Sequence, residues 1–251
     1  MKLYGLLGYP LGHSFSAKYF AEKFAHEGID AEYKNFEFAH VEDALAYLTQ
    51  QDALQGFNVT IPHKQAIMPY LSGLSAEAEA IGAVNVVCVK HQTDGSVKLF
   101  GCNSDVVGFS NSIKPLLRPD IHTKALVLGT GGASKAVMYG LRKLGVEPIY
   151  VSRTPKAGQL TYDELTPEVM SEHKVIVNCT PLGMFPKVDA CPDIPYQCLT
   201  PDHLLYDLVY NPLETLFMKR GAEQGAMVKN GLEMLHLQAE AAWEDWENVV
   251  F

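Results

Sequence analysis

Ala125, Leu126, Val127 and Leu128 form an unbroken apolar run that stops at a glycine cluster, Gly129, Gly131 and Gly132, with Thr130 inside it and Ala133 after it. The run reads as a buried strand and the cluster as a turn that needs glycine. From Ala133 a helical pattern carries Ala136, Val137, Tyr139, Gly140 and Leu144 up to Gly145, and Ile149, Tyr150 and Val151 follow as a second strand. Strand, glycine turn, helix and strand within about thirty residues make a βαβ unit. At the N-terminus of such a helix, free N–H groups and the macrodipole favour an anion, and residues without Cβ let the backbone close on a pyrophosphate. Ser134, at the third fingerprint position, is not glycine, so the turn alone is weak evidence and its context has to support it.

That context is the end of the second strand, which reads Ser152-Arg153-Thr154 with Lys156 just beyond. An enzyme that uses NAD places a carboxylate there for the ribose 2′-hydroxyl; a guanidinium and two hydroxyls suit a 2′-phosphate, which a carboxylate would repel. The pattern therefore favours NADP over NAD, the plain alternative being an ordinary strand-turn-helix with a surface arginine. Nicotinamide chemistry on an alcohol or ketone also needs a proton donor or acceptor at a strand end. Lys64 follows the strand residues 57–61 and Pro62, and Asp105 ends the loop Gly101-Cys102-Asn103-Ser104. Read blandly, Lys64 is a solvated charge and Asp105 a helix N-cap. His13 and His63 lie near the same turns as rival proton shuttles. The nine histidines show no HExxH or other ligand spacing, so no metal is expected, and no GxSxG or Cys/His pattern points to a covalent nucleophile.

At 251 residues the chain is long enough for one large or two modest domains. Its 47% hydrophobic and 20% charged residues are ordinary for a globular protein. A formal charge of −9, without any Lys/Arg run or aromatic-basic interleaving, gives no footprint for nucleic acid. Five cysteines, Cys88, Cys102, Cys179, Cys191 and Cys198, are odd in number and lack a CxxC pair, so they read as free thiols in a reducing compartment. Gly5, Gly8, Pro10, Gly12 and His13 interrupt the apolar start before a signal sequence is complete, and no apolar run reaches membrane-spanning length. The expectation is a cytoplasmic protein with neither a nucleic-acid nor a membrane partner.

The elements that must position these residues follow in chain order. Residues 3–7 read as a strand, and Ala17, Phe20, Ala21 and Phe24 as a helix ended by Gly28. Tyr33, Phe36 and Phe38 alternate as a strand, and Val41, Ala44, Leu45 and Leu48 mark a helix. Residues 56–61 are a strand broken by Pro62, and a short helical segment runs from Lys64 to Leu71. Residues 83–89 form a further strand, turned at Thr93-Asp94-Gly95-Ser96 back to Leu99 and Phe100. A helical stretch follows from 105 to Leu117. Beyond the βαβ unit, residues 175–177 and 204–209 are buried-strand candidates of a doubly wound sheet. The last helix carries Leu232, Leu235, Ala239, Ala242, Trp243 and Trp246 on one face and is expected to pack back on the first domain, because the second sheet already has its helices.

The motifs, in order, resemble those of the shikimate dehydrogenase family over nearly the whole length. His13-Ser14-Phe15-Ser16 resembles HSxS, the stretch from Asn58 to Lys64 resembles NVTxPxK, and Gly82-Ala83-Val84-Asn85 matches GAVN. Gly101-Cys102-Asn103-Ser104-Asp105 is similar to GxNTD, and the turn from Gly129 to Ala133 to GAGGA. The stretch from Asn178 to Met184, and Asn230-Gly231 through Gln238, resemble later signatures. One such motif would mean little; the ordered series is specific. Departures are Ala17 for a frequent proline, Ser104 for threonine, Thr130 for alanine, and Ala157, beside Lys156, for a second arginine.

The resemblance implies NADPH-dependent, reversible reduction of 3-dehydroshikimate to shikimate, a step of chorismate and aromatic amino acid biosynthesis, with NADP and this small acid as the only partners of a monomer or homodimer. It implies an α/β fold with a substrate-binding, catalytic domain at 1–104, onto which 231–251 packs back, and a Rossmann-type, doubly wound NADP domain at 105–230. Lys64 and Asp105 would be the catalytic pair: an ammonium can give a proton to a developing alkoxide, and the carboxylate favours its charged form. Ser14 and Ser16 would hold the substrate carboxylate and Thr60, Asn85 and Gln238 its ring hydroxyls, with Asn58 and Tyr210 as further substrate-side candidates. Gly129, Thr130, Gly131, Gly132, Ala133, Ser152, Arg153, Thr154, Lys156, Thr180, Leu208 and Gly231 would line the cofactor. Helix capping remains the alternative for Ser14 and Ser16, and a polar edge on an apolar face for Gln238. The rival functions are a quinate/shikimate dehydrogenase with relaxed nucleotide use, and a non-catalytic ligand sensor, whose expected mark would be loss of the Lys/Asp pair.

Overall fold

In the computed structural model, which describes residues 1–12 and 15–248, the apolar run after Met1 forms β1 (Lys2–Gly8). Then come α1 (Phe15–Glu27), β2 (Ala31–Glu37), α2 (Val41–Leu48), β3 (Leu54–Val59) and the single helical turn α3 (His63–Ala66). The chain continues through β4 (Gly73–Leu74), α4 (Ala76–Ile81), β5 (Val86–His91) and β6 (Val97–Cys102). These strands form one mixed sheet in the order β2-β1-β3-β5-β6-β4. Helical crossovers make β2 and β3 parallel to β1, whereas the turn at Asp94-Gly95, with φ +83° at Gly95, makes β5 and β6 antiparallel. Alternation along β1 separates the two faces. Leu3 and Leu7 join Val41, Leu45, Leu48 and Phe57 on one side, and Tyr4 joins Phe20, Phe24 and Ala239 on the other. On that second face Trp246 lies flat against β3, where a Cβ on Gly56 would come within 2.3 Å of the indole, and its ring N–H donates to Val87 O at 3.1 Å.

The remaining elements are α5 (Asp105–Ile113), β7 (Lys124–Leu128), α6 (Gly132–Lys143), β8 (Glu147–Val151), α7 (Pro167–Glu172), β9 (Val175–Asn178), β10 (Leu204–Asp207), α8 (Leu216–Glu223), β11 (Met227–Lys229) and α9 (Leu232–Asn248). Their sheet is wholly parallel, in the order β11-β10-β9-β7-β8. Successive strand residues serve opposite cores. Ala125, Val127, Val175, Val177, Leu204 and Tyr206 pack with Phe109, Val137 and Leu141, while Leu126, Leu128, Ile176 and Leu205 pack with Met170, Phe217 and Met218. A sheet covered on both faces needs apolar residues at every strand position, which is why β7, β9 and β10 read as unbroken runs.

The two compact units are Met1–Ser104 with Ala239–Phe251, and Asp105–Gln238. The return to the first unit was expected at residue 231, but the first turns of α9 stay with the second unit. Met234 belongs to the Phe109/Val137 core, and the backbone of α5 approaches that of α9 at Gly108, where a Cβ would meet Met234 O at 2.6 Å. The strand expected over 204–209 ends at Asp207, whose carboxylate takes the Val209 N–H in a turn. Among the described residues no helix is long and apolar enough to cross a membrane.

Candidate active site

Lys64 stands on a backbone held from both sides. Thr60 N–H donates to Leu7 O at 2.8 Å, His63 N–H to Thr60 O at 2.9 Å, and Val84 N–H to the Lys64 carbonyl at 2.8 Å. The half-buried Lys64 therefore leaves the second position of a one-turn helix fixed at the end of β3. His63, a rival in sequence, is 2% exposed and its Nε2 lies 2.7 Å from Phe38 O. That is a satisfied core histidine. His13 and Ser14 lie outside the described residues, while Ser16 is in the first turn of α1.

Asn85 ties the β3 end to the loop before Asp105. Its carbonyl accepts from Val59 N–H (2.8 Å) and Asn58 Nδ2 (3.3 Å), its Oδ1 accepts from Ser104 N–H (2.7 Å), and its Nδ2 donates to Ser104 Oγ (3.0 Å). Asn103 Nδ2 donates to Ala83 O at 2.9 Å in the same loop. Buried amides held by several such bonds specify one arrangement, so the residue preceding Asp105 is fixed. Asn58 also accepts from Tyr33 Oη at 2.8 Å, and Thr60 is half-buried beside Gly8. The structure thus brings Asn58, Thr60, Lys64 and Asn85 together on one unit.

Asp105 opens α5 at 8% exposure, and a carboxylate in a first helical turn also complements the helix dipole. Gly108 is three residues on, hence on the same helix face, and a Cβ there would be 2.9 Å from Gln238 Cβ. The missing side chain brings Gln238 onto the Asp105 face; its Nε2 donates to Leu235 O at 3.0 Å. Tyr210 is 37% exposed beyond β10.

The glycine turn has the local properties an anion cradle needs. Gly129 has φ +97°, a conformation that L side chains rarely adopt, and its N–H donates to Val151 O at 2.9 Å. Gly131 caps the twelve-residue α6, and a Cβ on it would point into open space that a ligand can occupy. Ser134, buried, turns its hydroxyl back to Gly131 O at 2.7 Å, so the non-glycine position fastens the turn rather than blocking it. The turn follows β7 at the reversal of strand order between β8 and β9, the place where doubly wound sheets bind nucleotides. Ser152 is buried and accepts from Thr154 N–H at 3.2 Å, leaving Arg153, Thr154 and Lys156 exposed at the end of β8. These residues fit a dinucleotide with a 2′-phosphate.

A buried network missed in the sequence fixes the opposite side of this turn. Asp207, completely buried at the end of β10, accepts from Thr215 Oγ1 (2.6 Å), Asn178 Nδ2 (2.9 Å) and Val209 N–H (3.0 Å). Burial nonetheless pushes its carboxyl up to about 6. Asn178 Oδ1 in turn accepts from the N–H (3.0 Å) and hydroxyl (2.7 Å) of Thr180, whose methyl would meet a Cβ on Gly129 at 2.9 Å. Gly231 donates to Val209 O at 3.1 Å, and a Cβ there would be 2.2 Å from Leu208 O. Thr180 is thereby placed against Gly129, and Leu208 against Gly231. The signal available in sequence was an acid closing the apolar run Leu204-Leu205-Tyr206 at a strand's C-terminal end, where parallel sheets keep their sites. Among the described residues no three His, Cys, Asp or Glu side chains form a metal-ligand set.

A parallel sheet with a glycine turn at its order reversal, joined in one chain to a mixed α/β unit, defines a two-unit α/β protein with a Rossmann-type nucleotide fold. Residues 6–87 match the family model of the shikimate dehydrogenase substrate binding domain. An NADP(+) shikimate dehydrogenase of Clostridium beijerinckii is 40% identical over 260 residues, covering 98% of this chain and 92% of its own. Among solved structures, a chorismate mutase/shikimate 5-dehydrogenase fusion protein from Clostridium acetobutylicum superposes with a TM-score of 0.86 at 33% identity, over 100% of this chain and 92% of that one. Shikimate 5-dehydrogenase from Thermus thermophilus, solved in complex with NADP(H) and shikimate, gives 0.83 at 32% identity, over 100% and 95%. The chain belongs to the shikimate dehydrogenase family.

Proposed function

We propose that this chain catalyses the NADPH-dependent, reversible reduction of 3-dehydroshikimate to shikimate, within the biosynthesis of chorismate and the aromatic amino acids. The observation that supports it most is that a chain 40% identical over 260 residues to an NADP shikimate dehydrogenase has Lys64 and Asp105 in the family's motifs and holds the backbone under Lys64 in place. The bound cofactor supplies the hydride, and the residues of this chain handle the proton and the orientation. Lys64 gives a proton to the carbonyl oxygen in reduction and takes it back in oxidation, and Asp105 accepts from a substrate hydroxyl. Ser14 and Ser16 hold the carboxylate; Asn58, Thr60, Asn85 and Gln238 orient the hydroxyls, with Tyr210 at the substrate side. The glycine turn and the N-terminus of α6 hold the pyrophosphate, and Ser152, Arg153, Thr154 and Lys156 the 2′-phosphate, beside Thr180, Leu208 and Gly231. The free state of all five cysteines supports a cytoplasmic setting. Gel filtration with light scattering distinguishes monomer from homodimer.

The test is absorbance at 340 nm with shikimate and NADP(+), with NAD(+) and quinate as comparison arms. Turnover of shikimate with NADP(+) is expected to exceed the other combinations; no turnover of shikimate with either nucleotide would overturn the proposal. Ala157 in place of the family's second arginine makes Arg153 the main charge on the 2′-phosphate. Arg153→Ala is expected to raise KM for NADP(+) at least about tenfold, the range for a hydrogen bond to a charged group, and to leave KM for NAD(+) within about twofold. An equal rise for both nucleotides would remove Arg153 from phosphate selection.

A further inference from the structure

We propose that Tyr33 is a positioning residue of the substrate site, coupling recognition of the acid's carboxylate to recognition of its ring hydroxyls. The proposal rests on the reading of Ser16 and Asn58 given above. Register places Tyr33 opposite Tyr4 and Asn58 opposite Leu6, so both side chains stand on one face of the sheet, on either side of β1. The phenol spans that strand and donates to Asn58 Oδ1 at 2.8 Å. Ser16 stands one turn before Phe20 on the same face of α1; the Phe20 ring stacks on Tyr33, and this places the Ser16 hydroxyl beside the same phenol. Asn58 continues through Nδ2 to Asn85 O, and Asn85 to Ser104. The Tyr33 ring is clamped by stacking on Phe20, centroids 4.8 Å apart at 12°.

A hydroxyl chain of this kind has two proton arrangements on the same heavy atoms. In one, Ser16 donates to the phenol and the phenol to Asn58 Oδ1. In the other the order runs back: the phenol donates to Ser16 Oγ, which turns the Ser16 proton toward an acceptor beyond it and leaves Asn58 Oδ1 for a donor beyond it. A carboxylate is such an acceptor and a ring hydroxyl such a donor. The second arrangement therefore suits a molecule that carries both, and one phenolic proton links the two recognitions.

Tyr33→Phe keeps the stacked ring and removes only the hydroxyl. Wild-type turnover of shikimate is measured first; its absence would sink the proposed function rather than the role of Tyr33. In Y33F, KM for shikimate is expected to rise roughly three- to tenfold, the worth of one neutral hydrogen bond, with most of the loss in kcat/KM falling on KM and with KM for NADP(+) within about twofold. Ser16→Ala is then expected to raise KM for shikimate less in the Y33F background than in wild type, because the two groups act through one chain. A shikimate KM unchanged in Y33F, equal rises for both substrates, or additive effects of the two substitutions would each overturn the proposal.

Discussion

Lys64→Ala is expected to lower kcat by about 10²–10⁴-fold, the range that one general acid/base group supplies, while KM for NADP(+) stays close to wild type. Three backbone hydrogen bonds hold the chain at residue 64: Val84 N–H to its carbonyl, His63 N–H to Thr60 O, and Thr60 N–H to Leu7 O. Removing the side chain leaves these backbone bonds in place, and an unchanged urea-unfolding midpoint is the control that assigns a loss of rate to chemistry rather than unfolding. Lys64→Met adds a control that keeps the length of the stem and lacks the ammonium, and it should fall as far as alanine. His63 does not substitute, because its ring is committed to Phe38 O within the core. Asp105→Asn separates the two readings of the acid. A carboxylate that only complements the α5 dipole costs about 0.3–1 kcal/mol of stability when neutralised and leaves kcat nearly untouched. An acid that works with Lys64 lowers kcat and shifts the pH profile. Stopped-flow or steady-state rates across pH decide both points, and near-normal kcat in K64A would remove Lys64 from the mechanism.

The parts of this fold that were legible in the sequence are those whose burial leaves a pattern. β7, β9 and β10 are covered on both faces and read as apolar runs, and the apolar face of α2 marks its span from Val41 to Leu48. β4 and β11 are two and three residues long, too short to show a period. α4 and α7 have caps that could have been read, Ser75 accepting from Ala78 N–H and Thr166 from Val169 N–H, but they carry few buried apolar residues. For the site, motifs located the residues proposed to face a ligand, whereas the groups behind them were invisible. Tyr33 meets Asn58 only because both flank β1, and Asp207 meets Asn178 only because β9 and β10 pair in register. Pairing across a sheet is set by the whole fold, so spacing along the chain does not encode it. The return of the last helix was expected because the second sheet already has its helices, but Met234 and the close approach at Gly108 keep its first turns with the nucleotide fold.

Asp207 gives the largest expected change in stability, and its pH dependence has an unusual sign. Its carboxyl is raised from an ordinary value of about 4 to about 6, because burial outweighs the three donors from Thr215, Val209 and Asn178. The folded state then holds this proton more tightly than the unfolded chain does. The neutral form contributes stability that is complete below the unfolded value and is lost as pH rises through the folded one, the reverse of a salt-bridged carboxylate. Cys179 and Tyr196 feel its charge; both are pushed upward, by burial first, and stay neutral across this window. Asp207→Asn imitates the neutral acid and keeps an acceptor for Val209 N–H and Asn178 Nδ2, while the Thr215 hydroxyl can rotate to accept. Relative to wild type, D207N should gain about 2 kcal/mol of stability between pH 4.5 and pH 7.5, measured by urea unfolding at several pH values. A wild-type-minus-D207N difference that stays flat with pH would refute the buried, raised carboxyl. Asp207→Ala leaves three buried donors without their acceptor and should cost about 3 kcal/mol at pH 7.5. Because Asn178 orients Thr180 and Asp207 orients Val209, that loss should also raise KM for NADP(+) more than KM for shikimate; the opposite ranking would separate this network from the cofactor side of the protein.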